Sequence, residues 1–159
     1  MMSYNNQNRI ETQAFLTTDV KILLQTTGCL LGVDYGMVRI GLALSDSERQ
    51  IVRPFKVIHK LKELDDIVPA KNICAFVVGL PLQTDGQEGE IAKQVRLFCN
   101  RLIEKYQLPV ILIDERYTSK YATEYMHGHG VRKKRQDEMI DAVAASRILQ
   151  KALNELKNS

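Results

Sequence analysis

Two short apolar runs, residues 73–78 (Ile-Cys-Ala-Phe-Val-Val) and 110–114 (Val-Ile-Leu-Ile-Asp), stand on either side of one long amphipathic segment. That arrangement narrows the fold more than any other feature. A continuous apolar run of this length, ended by Gly79-Leu80-Pro81 or by Asp114-Glu115, fits a strand buried on both faces. Between them, within residues 88–106, Ile91, Val95, Phe98 and Leu102 recur at helical spacing and predict one apolar helix face. A strand–helix–strand unit crosses over right-handed, so its two strands are parallel. Their C-terminal ends then share one rim of a helix-covered sheet, which is where open α/β sheets bind ligands.

The rest of the chain extends this sheet. Residues 30–35, 39–45 and 52–60 predict a three-strand meander, with Pro54 pointing to an edge. Residues 61–69 predict a short helix. Residues 118–126 predict another, capped by Thr118 or Ser119 and broken at His127-Gly128-His129-Gly130. The basic run Arg132, Lys133, Lys134 and Arg135 is expected as a loop before a last helix over 137–156. The expected architecture is α/β: a mixed five-stranded sheet with helices on both faces. Residues 1–28 are polar, with an asparagine cluster, and are expected as a flexible N-terminal extension with a short helix near 15–24. The domain proper is expected over 29–159.

Composition agrees with one globular domain. The chain has 159 residues, 45% of them hydrophobic and 26% charged. A net charge of +3 is compatible with a nucleic-acid partner without demanding one. Cys29, Cys74 and Cys99 show no metal-type spacing; Cys74 and Cys99 are expected as buried thiols, and the odd count suits a reducing compartment. No apolar run reaches the ~18 residues of a membrane span. The N-terminus lacks the basic-then-apolar order of a signal peptide. A cytoplasmic location, with no membrane contact, is expected.

Three carboxylates occupy odd places. In Leu31-Gly32-Val33-Asp34-Tyr35-Gly36, Asp34 ends a buried strand just before a tight turn, where an ionised carboxylate is costly without a positive partner. Asp114 and Glu115 end the last strand on the same rim. Strand alternation sends them to opposite faces. Asp141 is expected in the first turn of the last helix, on a stripe with Ala144, Ala145 and Ile148. Small residues face that helix: Gly32 beside Asp34 on one strand, Gly41 and Ala43 on the next. We expect the helix to pack over this hairpin and bring Asp141 towards Asp34.

Several dry carboxylates at one rim repel each other unless a cation joins them. Oxygen-only donors favour Mg²⁺ or Mn²⁺ over Zn²⁺. Such ions cleave phosphodiesters, and the basic run would hold the phosphate backbone beside the site. Simpler readings stand beside these. Asp34 could open a turn, Asp141 could answer a helix dipole, Asp137 could be the helix N-cap, and the basic run could be a solvated loop.

Four motifs in series carry a resemblance: Leu31-Gly32-Val33-Asp34-Tyr35-Gly36 with Arg39-Ile40-Gly41; Val78-Gly79-Leu80-Pro81-Leu82 with Asp85-Gly86; Asp114-Glu115-Arg116-Tyr117-Thr118-Ser119; and Asp141-Ala142-Val143-Ala144-Ala145 with Ile148-Leu149-Gln150. Together, over residues 29–153, they resemble the YqgF (RuvX) family of Holliday junction resolvases, also described as nucleases for the 5′ end of precursor small-subunit rRNA. The resemblance implies an RNase H-like fold and a metal-dependent nuclease. Asp34, Glu115 and Asp141 match its catalytic, metal-holding acids, and Arg39, Arg116 and Thr118 its polar positions near the site. The implied partners are pre-16S rRNA, with ribosomal particles, for a monomer, or four-way DNA for a homodimer. Two rivals remain open. The Gly32-x-Asp34-x-Gly36 hairpin also resembles the first phosphate loop of actin- and hexokinase-like ATPases. A non-catalytic nucleic-acid-binding module would use the basic run without cutting.

Overall fold

The structure is a computed structural model. It describes residues 15–115 and 133–158, with the backbone alone for 133–137. In chain order the elements are β1 (Leu16–Thr17), a 3-10 turn (Val20–Gln25), β2 (Cys29–Tyr35), β3 (Ile40–Ser45), β4 (Val52–Ile58), a 3-10 turn (Leu61–Glu63), α1 (Leu64–Ala70), β5 (Ile73–Leu80), α2 (Glu90–Tyr106), β6 (Val110–Asp114) and α3 (Lys133–Lys157).

The sheet has six strands in the order β1-β6-β5-β2-β3-β4. The meander β2–β3–β4 is antiparallel, while β2–β5, β5–β6 and β1–β6 are parallel. The strand–helix–strand unit is therefore as expected, with α2 joining β5 and β6. β4 lies on the edge, and a register shift opposite Leu42 and Ala43 lets Pro54 sit there without a ladder N–H.

The expected count of five strands misses β1. It is two residues long, in a stretch too polar and too short for any period to register. Its position is nonetheless firm: Leu16 and Thr17 pair with Val110 and Ile111, and Phe15 O accepts from Val110 N at 3.0 Å. The following turn buries Leu23 completely. Arg49, held at a left-handed φ of 60°, donates to the carbonyls of Leu23, Thr26 and Gly28 and so ties this turn to the sheet. Residues 15–28 thus pack as part of the domain.

Each sheet face has its own core. On one side Leu31, Val33, Phe76, Val78 and Leu112 meet Val95, Phe98 and Leu102 of α2. On the other, Leu30, Ala43, Ala75, Val77 and Ile111 meet Ala145, Ile148, Leu149 and Ala152 of α3. Three expectations shift. Ile91, expected in the core, is 49% exposed, and Ala92 takes its place because α2 begins at Glu90 and its buried face runs 92, 95, 98, 99, 102. Cys74 is half-buried, whereas Cys99 is buried as expected. Finally, Lys133, Lys134 and Arg135, expected in a loop, lie on α3, and Asp137 is inside that helix, not at its cap. Asp141 therefore sits two turns into α3, beyond reach of the terminal dipole. The helix expected over 118–126 and its glycine break fall outside the described residues. No helix among the described residues is long and apolar enough to cross a membrane.

Candidate active site

The C-terminal ends of β2, β5 and β6 form one rim, and Asp34, Gly79, Leu80, Asp114 and Glu115 stand on it. In β2, alternation sends Leu31 and Val33 to the α2 face and Gly32 and Asp34 to the α3 face. The Asp34 side chain thus emerges on the side that α3 covers. Glu115, one residue past β6, is anchored by its N–H to Leu80 O at 3.2 Å. Its side chain turns over Gly79: a Cβ built there would stand 2.6 Å from Glu115 Oε2 and 2.5 Å from Ile148 Cδ1. The glycine that ends the apolar run of β5 is what makes room for the carboxylate.

Asp34 and Glu115 are hydrogen-bonded to each other. Burial raises the Asp34 carboxyl to about 6, and the charge of Asp141 adds to the rise, against the hydrogen bond from Glu115. Glu115 is pushed up to about 9, by burial first, then by the charge of Asp34 and its hydrogen bond, then by Asp114. Both carboxyls are raised, by burial first and then by a neighbouring carboxylate, so the pair resists carrying two negative charges.

Asp141 reaches the rim because α3 lies very close to the hairpin. A Cβ on Gly41 would overlap the Asp141 carbonyl, and one on Gly32 would come within 2.8 Å of the Ala145 carbonyl. The small residues of β2 and β3 therefore do what the sequence implied. The Asp141 carboxylate accepts from Arg39 Nε at 2.6 Å, through Oδ2. Among the described residues no three acidic, histidine or cysteine side chains stand close enough together to hold an ion. The rim holds the buried carboxyl pair Asp34–Glu115 and beside it an ion pair, Arg39–Asp141.

Four expected site residues, Asp34, Arg39, Glu115 and Asp141, are thus brought to one place. Arg116, Thr118 and Arg132 lie outside the described residues. Lys133, Lys134 and Arg135 are placed by backbone only, at the start of α3, two turns before Asp141. Sequence reasoning misses Gly79 as the floor of the Glu115 position, because a glycine closing a buried strand equally marks a strand end. It also missed Lys151, whose Nζ donates to Asp114 O at 2.6 Å. A lysine on an exposed helix face carries no such signal.

Comparison with known proteins bears on the family and the fold. The family model RuvX, described as Holliday junction resolvase, matches residues 28–155, close to the 29–153 expected from the motifs. A protein of Anaplasma marginale, provisionally named pre-16S rRNA nuclease, is 41% identical over 134 residues, covering 80% of this chain and 85% of that protein. One of the same name from Orientia tsutsugamushi is 36% identical, covering 82% and 86%. Among solved structures, the Fowlpox virus resolvase with its Holliday junction DNA superposes with a TM-score of 0.51 at 9% identity, over 80% of this chain and 98% of that one. The RuvC of T. thermophilus with its Holliday junction substrate gives 0.51 at 13%, over 83% and 98%. At such identities the likeness establishes the fold alone, and that fold is RNase H-like.

Proposed function

The chain belongs to the RuvX family of nucleases, and from that premise we propose that it hydrolyses phosphodiesters in structured nucleic acid with a divalent ion, acting on the 5′ end of pre-16S rRNA. The substrate is taken from the names of relatives up to 41% identical. The observation that carries the reading is the gathering of three carboxylates at one rim, Glu115 over Gly79 beside Asp34, with Asp141 brought in by the close approach of α3 to Gly41.

The donors fit Mg²⁺ or Mn²⁺. They are carboxylate oxygens only, and burial and mutual repulsion make their ionisation costly, a cost that a cation would offset. Asp34, Glu115 and Asp141 would hold the ion. The chemistry supplied on binding it is activation of water and stabilisation of charge at the phosphorus. The residues of the chain do the rest. Asp34 and Glu115 would hold the ion as ionised carboxylates, and Gly79 and Gly41 leave the room that keeps the acids in register. Arg39, Arg116, Thr118, Arg132, Lys133, Lys134 and Arg135 are the phosphate contacts in this reading. Three of them open α3, so a bound backbone would run from its first turns to Asp141.

A cleavage assay with Mg²⁺ or Mn²⁺ on a 5′-extended small-subunit rRNA precursor tests this. Trimming is expected, and Asp34→Asn is expected to reduce it by about 10²–10³-fold while the fold persists. Substantial activity in that variant would overturn the site assignment. A second reading, cleavage of four-way DNA, is favoured by the description of the matching family model. It needs two symmetric cuts and hence a dimer. Paired cuts on a junction, with sedimentation showing two copies, would select it over RNA trimming. Strong, salt-sensitive binding without cleavage in any divalent metal would instead select a binding module.

A further inference from the structure

We infer that Arg39 is the internal counter-ion of this site in its metal-free state, competing with the divalent cation for Asp141, so that its charge sets how tightly the ion is held. The inference rests on the functional reading above and goes further, since there Arg39 enters only as a phosphate contact. Two observations converge on it. The Arg39 Nε–Asp141 Oδ2 distance of 2.6 Å is that of a strong, charge-assisted hydrogen bond. Among the described residues no three acids close on a common point, although Asp34 and Glu115 already touch each other. The acid that would complete the set is the one paired with the arginine.

The placement follows from the chain. Arg39 leaves the tight turn that begins at Gly36, where an added Cβ would stand 2.5 Å from the Arg39 carbonyl, so the root of its side chain is held fixed. Asp141 is held equally firmly by the Gly41 contact. What can move is the ion pair itself, whose side chains are 38% and 21% exposed. Bringing a dication to Asp141 sets two positive charges against a guanidinium that does not lose its proton. That repulsion, together with the lost hydrogen bond, lowers affinity for the ion. A neutral side chain at position 39 removes both effects. Arg39 thus acts on the ion indirectly, as a rival cation for the Asp141 carboxylate.

The test is Mn²⁺ binding to the full-length protein, without nucleic acid, followed by electron paramagnetic resonance of the free ion. Arg39→Gln is expected to bind Mn²⁺ roughly tenfold more tightly than the parent. Arg39→Lys, which keeps the charge, is expected to remain near the parent. Thermal melts of both variants establish that they are folded. Equal or weaker binding by folded Arg39→Gln would overturn the inference and leave the nuclease reading intact, because the arginine would then be orienting Asp141 for the ion. Absence of Mn²⁺ binding in the parent and in Arg39→Gln alike would overturn the metal-dependent reading and this inference with it. Loss of binding in Asp34→Asn, beside tightening in Arg39→Gln, is the result expected if both hold.

Discussion

Glu115 and Asp34 each have a folded-state carboxyl raised above the ordinary value, to about 9 and about 6. An acid raised in this way favours folding fully only below its unfolded value. For Asp34 the contribution is lost as pH rises from about 4 to about 6; for Glu115 it is lost over the wider range up to about 9. The metal-free protein is therefore expected to melt at progressively lower temperature from mildly acidic to alkaline pH. Glu115→Gln keeps the shape and the hydrogen bond to Asp34 but cannot ionise. In chelator at pH 8–9 it is expected to be more stable than the parent by on the order of 2 kcal/mol, roughly 4–8 °C, with the difference vanishing near pH 4. Differential scanning calorimetry across that range checks it, and a variant that melts lower than the parent at pH 8 would contradict the raised Glu115 carboxyl. The same substitution removes a proposed ion-holding oxygen, so added Mg²⁺ should stabilise the parent and barely affect the variant.

At the scale of elements, the contact between α3 and the β2–β3 hairpin decides whether Asp141 reaches the site. It is a backbone-to-backbone approach made possible by Gly41 and Gly32. Gly41→Ala is expected to push the helix outward and cost roughly 1–3 kcal/mol. It should also reduce activity more than a fully folded population would explain, which paired melts and rate measurements would reveal. Alanine tolerated at both levels would mean that the helix sits further out. This contact was legible in the sequence, because two glycines and an alanine on one face of a hairpin match a helix rich in alanine. The β–α–β unit was legible too, through long runs with clear periods. What stayed hidden had no periodic signal. The two residues of β1 are too few for any alternation, and the start of α3 was masked by its composition. A run of four basic side chains reads as solvated loop, although lysine and arginine are good helix formers. Likewise the Arg39–Asp141 pair spans 102 positions, and no local pattern links its ends.

At the scale of the whole molecule, six strands with a core on each face bring Asp34, Arg39, Glu115 and Asp141 to one rim, and both ends of the described chain support that rim indirectly. The C-terminal helix supplies Asp141. The N-terminal stretch borders β6, the strand that leads into Glu115, and Arg49 fastens it through three backbone carbonyls. Its last consequence concerns handling of the protein more than its chemistry. β6 is an apolar run whose outer N–H and C=O groups at Val110 and Ile111 are met by Phe15, Leu16 and Thr17. Two paired residues contribute little cohesion, but they occupy the place where another chain could dock. A chain shortened past Thr17 would present an unprotected, oily strand margin, the kind of template from which clumping starts. Such a protein is expected to scatter light and sediment as large particles at concentrations where the full-length protein stays dispersed. One shortened only as far as residue 14 should remain clear. In this sense β1 serves as a stopper against self-adhesion.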